Sequence, residues 1–245
     1  MKIRYVIPLL LAVTAVQAQN QKTEIPKLKQ DGVSGKDNVR ALVDGNAVSL
    51  PRGESYGLKG SPYLDQRWLK TNVQLTNETK TESMLLKYDI LEQRLLVRLP
   101  QSPNDSIRLN DASVVSFTMA VPGDYNQPAH QQHFRRFMEA PTLEQQLTYV
   151  EVVYEGKYTL LKRYSKLKRK ANYQGPYSPD QRYDEINDQN QYYLLRPDKT
   201  LVLLKLTLKT LQAAAPELAL KSVPGAGKAS TDVEWAAVLA AAEKK

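Results

Sequence analysis

His130 and His133, the chain's two histidines, stand three residues apart in QPAHQQHF and are the first candidates for chemistry. On a helix they would share a face and offer two positions to a metal, but zinc wants a third protein ligand and a fourth partner. Glu139 and Glu144 are conceivable third ligands, and nothing in the spacing fixes either one. The expectation is a pair of surface histidines, with no metal and no cofactor. A serine nucleophile would have to be placed against one of them, and Gly32-Val33-Ser34-Gly35 lies in a loose N-terminal stretch. PGAGKAS resembles a phosphate loop, yet Ser222 stands where G-x-x-x-x-G-K-[ST] needs glycine, and Ala229 where it needs a hydroxyl. It reads as a flexible link. Asp184, Glu185 and Asp188 cluster, but near neighbours on a loop do not define the separation that glycoside hydrolysis needs across a sugar ring.

A further constellation is basic and aromatic. Six of the nine residues 162–170 are Lys or Arg, and tyrosines recur on either side. A ligand in this region would be held by Lys166, Lys168, Arg169 and Lys170 for charge. Tyr173, Tyr177 and Tyr183 would stack on it from a Gly/Pro-containing loop. The competing reading is a solvated strand face. In it Tyr158, Leu160 and Tyr164 turn to the core, while Thr159, Arg163 and Ser165 turn to water. Lysine and arginine stems can cover apolar surface while their heads stay wet, and Asp180, Asp184, Glu185 and Asp188 would partly neutralise the run. Leu161 breaks the outer face of that pattern and Lys162 the inner.

What such a basic stretch meets depends on where the protein lives. Lys2 and Arg4, an apolar run over residues 5–16, and small residues around Ala18 follow the order of a secretory signal peptide, with cleavage expected after Ala18. The run is shorter than the roughly 20 residues of a bilayer-spanning helix. No cysteine follows it to carry a lipid, so the expectation is an exported chain with no transmembrane span after cleavage. The formal charge of +8 becomes +6 once Lys2 and Arg4 are removed, since no acid precedes residue 19. Outside the cytoplasm such a charge favours lipopolysaccharide, acidic polysaccharide or lipid headgroups over nucleic acid. The absence of cysteine also removes disulfides and thiolate catalysis, and a mature length of about 227 residues suffices for a core without staples.

The elements that must position these residues read as strands. WLKTNVQLT alternates Leu69, Val73 and Leu75 on one side; MLLKYDI, RLLVRL, SIRL, SVVSFTMAV, LTYVEVVY, KYTLLKRY, YYLLR and TLVLLKLTL follow. Glu155-Gly156 and Pro197-Asp198-Lys199 supply turn residues between them. Short strands joined by tight turns argue a mainly β, antiparallel meander, an open or partly closed, barrel-like sheet, with short C-terminal helices. AHQQHFRRFMEA, residues 129–140, fits either a helix or an irregular loop entering a strand. LKTLQAAAPELALK fits a helical turn, a break at Pro216 and a second short helix. TDVEWAAVLAAAEKK predicts a final helix with a Thr231/Glu234 capping box; Val233, Ala237, Val238 and Ala241 lie along one face, and Trp235 docks the helix on its own sheet or, alternatively, anchors a partner there. The organisation is then a signal peptide over 1–18, a polar segment over 19–57, a β domain over 58–212 and a helical segment over 213–245.

Several stretches resemble a family of uncharacterised exported envelope proteins of Bacteroidetes. They are Gly60-Ser61-Pro62-Tyr63 with Trp68, Leu86-Lys87-Tyr88-Asp89, Val115-Ser116-Phe117, and Tyr154-Glu155-Gly156-Lys157 leading into Leu160-Leu161-Lys162-Arg163. Tyr173, Tyr177, Tyr183-Asp184 and Tyr192-Tyr193 complete the set ahead of Pro216. The resemblance covers residues 58–216 and implies an exported protein with a largely β body. It implies no activity and carries over no catalytic residues, and the alanine-rich segment from Ala213 departs from it. The sequence thus points to a non-catalytic binding or structural component of the periplasm or outer-membrane surface. Its partner would be an anionic envelope component or an envelope protein. The alternative is a periplasmic or surface hydrolase.

Overall fold

Alternation along β2 (Leu69–Leu75) holds in three dimensions: Leu69, Thr71, Val73 and Leu75 are buried, while Lys70 and Asn72 are exposed. The computed structural model describes residues 57–77, 80–125, 127–170 and 183–244. These belong to one unit, Ser34–Lys245; a second unit, Met1–Val33, lies outside them, as do the expected signal peptide and nearly all of the polar 19–57 segment.

Ten strands form one antiparallel sheet. They are β2, β3 (Met84–Asp89), β4 (Arg94–Leu99), β5 (Ser102–Arg108), β6 (Val114–Val121), β7 (His130–Arg136), β8 (Tyr149–Tyr154), β9 (Thr159–Arg163), β12 (Gln191–Leu195) and β13 (Leu201–Leu204). Their order is β13-β12-β9-β8-β7-β6-β2-β3-β4-β5, a meander broken where β6 returns from the β5 edge to lie beside β2. β1 (Leu58–Lys59), β10 (Lys166–Arg169) and β11 (Asp184–Asp188) make a separate small sheet, and α1 (Leu143–Gln146) is a single helical turn between β7 and β8. The large sheet is mainly β as expected and is not closed, since β5 and β13 remain its edges.

The sheet is strongly curled. The ring of Tyr88 on β3 lies 5.9 Å from that of Tyr149 on β8, although β2, β6 and β7 separate the two strands. Four ladder spacings on a flat sheet would hold them about 19 Å apart. Tyr88 also meets Phe117 edge-on at 5.7 Å and Phe134 at 6.0 Å, while Phe117 and Phe134 stack at 4.8 Å. The concave face therefore packs on itself, with Leu86, Leu95 and Val97 filling out the cluster. Interlocked edge-to-face rings favour this arrangement beyond the area they bury.

The other half of the concave face is covered by the C-terminal segment. Tyr158, Leu160, Leu194 and Leu204 pack against α2 (Leu208–Ala214), a 3-10 turn at Leu220–Ser222 and α3 (Asp232–Glu243), where Trp235, Val238, Leu239 and Ala242 face inward. Here the convex face is apolar too. Val150, Leu161 and Tyr193 form a second core, and Phe137 and Ala140, from the chain just after β7, pack on it.

Several expectations are corrected. Residues 130–136 are a strand, so His130 and His133, an odd number of residues apart, project to opposite sides of the ladder and cannot share a helical face. KYTLLKRYSKL is two strands, β9 and β10, interrupted at Tyr164-Ser165. Leu161 does not face water; it is fully buried, because the opposite side of β9 has a core of its own. No second helix begins at Pro216, and the chain instead reaches the 3-10 turn at Leu220–Ser222. The PGAGKAS stretch is tied to the C-terminal helices by Ala226, which is buried beside the preceding Val223, while Pro224, Gly225, Gly227, Lys228 and Ser230 are exposed. On α3 the Thr231/Glu234 capping box forms, but of the four residues expected to share its core face only Val238 is buried, and Val233 is 73% exposed.

Candidate functional site

The predicted basic residues sit on the small sheet, paired with acids. Across the β10–β11 ladder Lys166 Nζ meets Asp188 Oδ1 at 2.6 Å and Lys168 Nζ meets Asp184 Oδ2 at 3.1 Å. Arg169 lies opposite Glu185 in the register, and Lys170 follows, exposed, after the end of β10. Tyr183 is partly exposed, with Lys59 Nζ 5.0 Å above its ring. Tyr173 and Tyr177 lie outside the described residues. The cross-strand acids offset the charge that made this run conspicuous in the sequence.

A different cationic and aromatic constellation lies on the convex face of the large sheet. Gly60 starts it. Its φ of +89° and its close approach to the Ile186 carbonyl leave no room for a Cβ, and the chain then turns to run beside β3. The amides of Leu64 and Ile90 donate to the carbonyls of Tyr88 and Pro62 at 2.9 and 2.8 Å. This anchoring sets Tyr63 and Trp68 around Lys87, whose Nζ is 4.7 Å from each ring centroid. Burial between the rings pulls the Lys87 pKa below its ordinary value, with Asp65 acting in the opposite direction. Asp65 is itself held by a bidentate bond from Arg67, at 3.0 and 2.7 Å, which lowers its pKa.

Next to this stack is a groove of about 580 Å³. Ala120 of β6 stands in register between Lys70 of β2 and Gln131 of β7. A methyl group between two long side chains leaves a depression on the pleated face. Trp68 and Leu85 line one side, Pro122 and Gln131 the other, and Arg67 and Lys70 contribute the charges. Lys70 has no ion-pair partner among the described residues. Outward alternation continues the polar surface through Asn72, Thr118 and His133, with Thr118 Oγ1 3.0 Å from His133 Nδ1. Among the described residues no group of three or more His, Cys, Asp or Glu is placed to hold a metal ion.

A third cluster is interior. Glu151 and Lys162 face each other across β8 and β9, the Tyr164 hydroxyl donates to Glu151 at 2.6 Å, and Lys162 pairs with Asp232 at the start of α3. Tyr192 donates to the same Asp232 at 2.7 Å. Burial raises the Glu151 pKa, opposed by the Tyr164 bond and the Lys162 charge, and lifts that of Tyr164 well above its ordinary range. Every member has a partner, so the cluster fixes the helix on the sheet.

The groove residues were legible only in part. WLKTNVQLT shows by its period that Lys70 and Asn72 face out together, but strand order was needed to put Ala120 and Gln131 beside them. One serine motif also stands in the chain: Gly53-Glu54-Ser55-Tyr56-Gly57 matches G-x-S-x-G. Its serine lies outside the described residues. Comparison with family models, with curated proteins and with solved structures returned no match.

Proposed function

We propose that this chain is an exported, non-catalytic binding component of the cell envelope that holds an acidic polysaccharide or the sugar portion of lipopolysaccharide along the convex face of its sheet. The observation that carries the reading is the groove over Ala120, flanked by Trp68 and Lys70. An indole offers a flat apolar surface for a sugar ring, the unpaired Lys70 attracts its acidic groups, and the amide and hydroxyl side chains beyond can bond to hydroxyls. The leader read in residues 1–18 supports export, and N-terminal sequencing of the protein isolated from cells tests it: a start at Gln19 is expected.

Binding is tested by retention on immobilised lipopolysaccharide and on acidic and neutral polysaccharides. Lys70→Glu and Trp68→Ala should each weaken retention at least tenfold at low salt, while replacing Lys166, Lys168, Arg169 and Lys170 together should change it less. Retention that survives both groove variants at low salt, where screening is weakest, overturns the site. Release of new reducing ends from the polymer, lost in Ser55→Ala, would favour the hydrolase reading instead.

A further inference from the structure

We infer that the outward side of α3, together with residues 223–229, is the contact through which two copies of this chain associate. The helix is apolar on both sides: Trp235, Leu239 and Ala242 turn to the core, and Val233 and Ala237 turn to solvent. Exposed apolar residues grouped beside a groove mark an interaction surface. Beside the outward face lies a groove of about 510 Å³, walled by Val223, Pro224, Ala229, Ala237 and Ala241. Val233 protrudes next to that groove without lining it.

Charge selects the occupant. Two charged residues line the groove, Lys228 and Glu234, and they are of opposite sign. Lys228 makes no ion pair among the described residues. Glu234 uses Oε2 alone to accept from the amides of Ser230 and Thr231, at 2.7 and 2.9 Å, which leaves Oε1 to accept from another donor. In a two-fold dimer every contact occurs twice with the roles exchanged. Lys228 of each copy then meets Glu234 of the other, and Val233 of each enters the other's groove. A surface carrying one cation, one anion, one knob and one hole is complementary to itself; an acidic or basic partner would leave one of the two charges opposed.

The chain contains no cysteine, so Ala237→Cys gives a single thiol at the centre of the surface. Under mild oxidation it should form a disulfide-linked dimer in high yield, whereas a cysteine placed at Asn72, on the convex sheet face, should not. Sedimentation of the full mature chain over a range of concentrations should show a monomer–dimer equilibrium. Lys228→Glu should weaken it at least tenfold, and Ala237→Glu should abolish it without lowering the melting temperature measured at concentrations where the parent is monomeric, because position 237 is exposed in the monomer. A chain that stays monomeric at the highest attainable concentration overturns the inference. So does a dimer unaffected by both substitutions, or an Ala237→Cys protein that dimerises without cross-linking.

Discussion

Glu243, the last residue of α3, seats its carboxylate against Gly156 in the β8–β9 hairpin. Oε2 accepts from the Lys157 amide and the Tyr154 hydroxyl, both at 2.9 Å, and Oε1 accepts from the Tyr158 amide at 2.7 Å. A carboxylate at a helix C-terminus opposes the helix dipole, and three charge-assisted bonds to the hairpin offset that cost. With Asp232 bonded to Lys162 and Tyr192 at the other end, the helix is held on the sheet by both termini.

Gly156→Ala drives a methyl into the Glu243 carboxylate and the Tyr154 hydroxyl, and should destabilise the fold by about 1–3 kcal/mol. Glu243→Ala should cost a similar 1–3 kcal/mol, roughly, through the amides it leaves unpaired. Because both changes break one contact, the double variant should cost clearly less than their sum. Urea unfolding followed by the fluorescence of Trp235, which α3 turns into the core, checks this; simple additivity would mean that the two residues act separately.

Glu234 provides a pH dependence with a definite sign. The amides of Ser230 and Thr231, together with the Thr231 and Ser230 side chains, lower its pKa from 4.5 to about 2. A folded value below the unfolded one stabilises at every pH above about 4.5 and is lost as the pH falls from there to about 2. Glu234→Gln should therefore be less stable than the parent at neutral pH, and the gap should close across that window. Thermal melts of both proteins from pH 7 to pH 2 measure it.

At Lys162 burial opposes the charge, yet the hydrogen bond and charge of Asp232, with Tyr192 and Glu151 nearby, carry its pKa above 10.5. The stabilisation is fully present below 10.5 and disappears as the pH rises through the elevated folded value. Asp232→Asn removes the partner of a largely buried ammonium and should cost about 1–3 kcal/mol, less than for a fully buried pair because both side chains keep some contact with water. The loss should be largest near neutral pH and shrink above pH 10.5 in guanidinium-free unfolding experiments.

Leu161→Ala should cost about 2–5 kcal/mol, as much as Leu160→Ala. Both residues are fully buried, on opposite sides of the same strand. Chemical denaturation of the two variants distinguishes this from a sheet wetted on its convex side at β9, where Leu161→Ala would be nearly neutral.

Local rules were enough for the mainly β architecture and for much of its punctuation. The two-residue period of Leu69–Leu75, the hairpin at Glu155-Gly156 and the capping box at Thr231 depend on neighbours a few positions away, so each can be read along the chain. Which side of an element meets another depends on strand order and curvature, which no short window contains. Val233 and Ala237 look like a core face in isolation, but the bulk of Trp235 and Leu239 and the two terminal carboxylates turn α3 the other way. Lys166 looks free until Asp188, far along the chain, becomes its cross-strand neighbour. Lys70, Ala120 and Gln131 become a groove only because β6 returns past β5 to lie between β2 and β7. The chain's own periodicity thus set the strands and their turns, and the long-range packing of those strands decided which charges remain unpaired and which apolar faces remain uncovered.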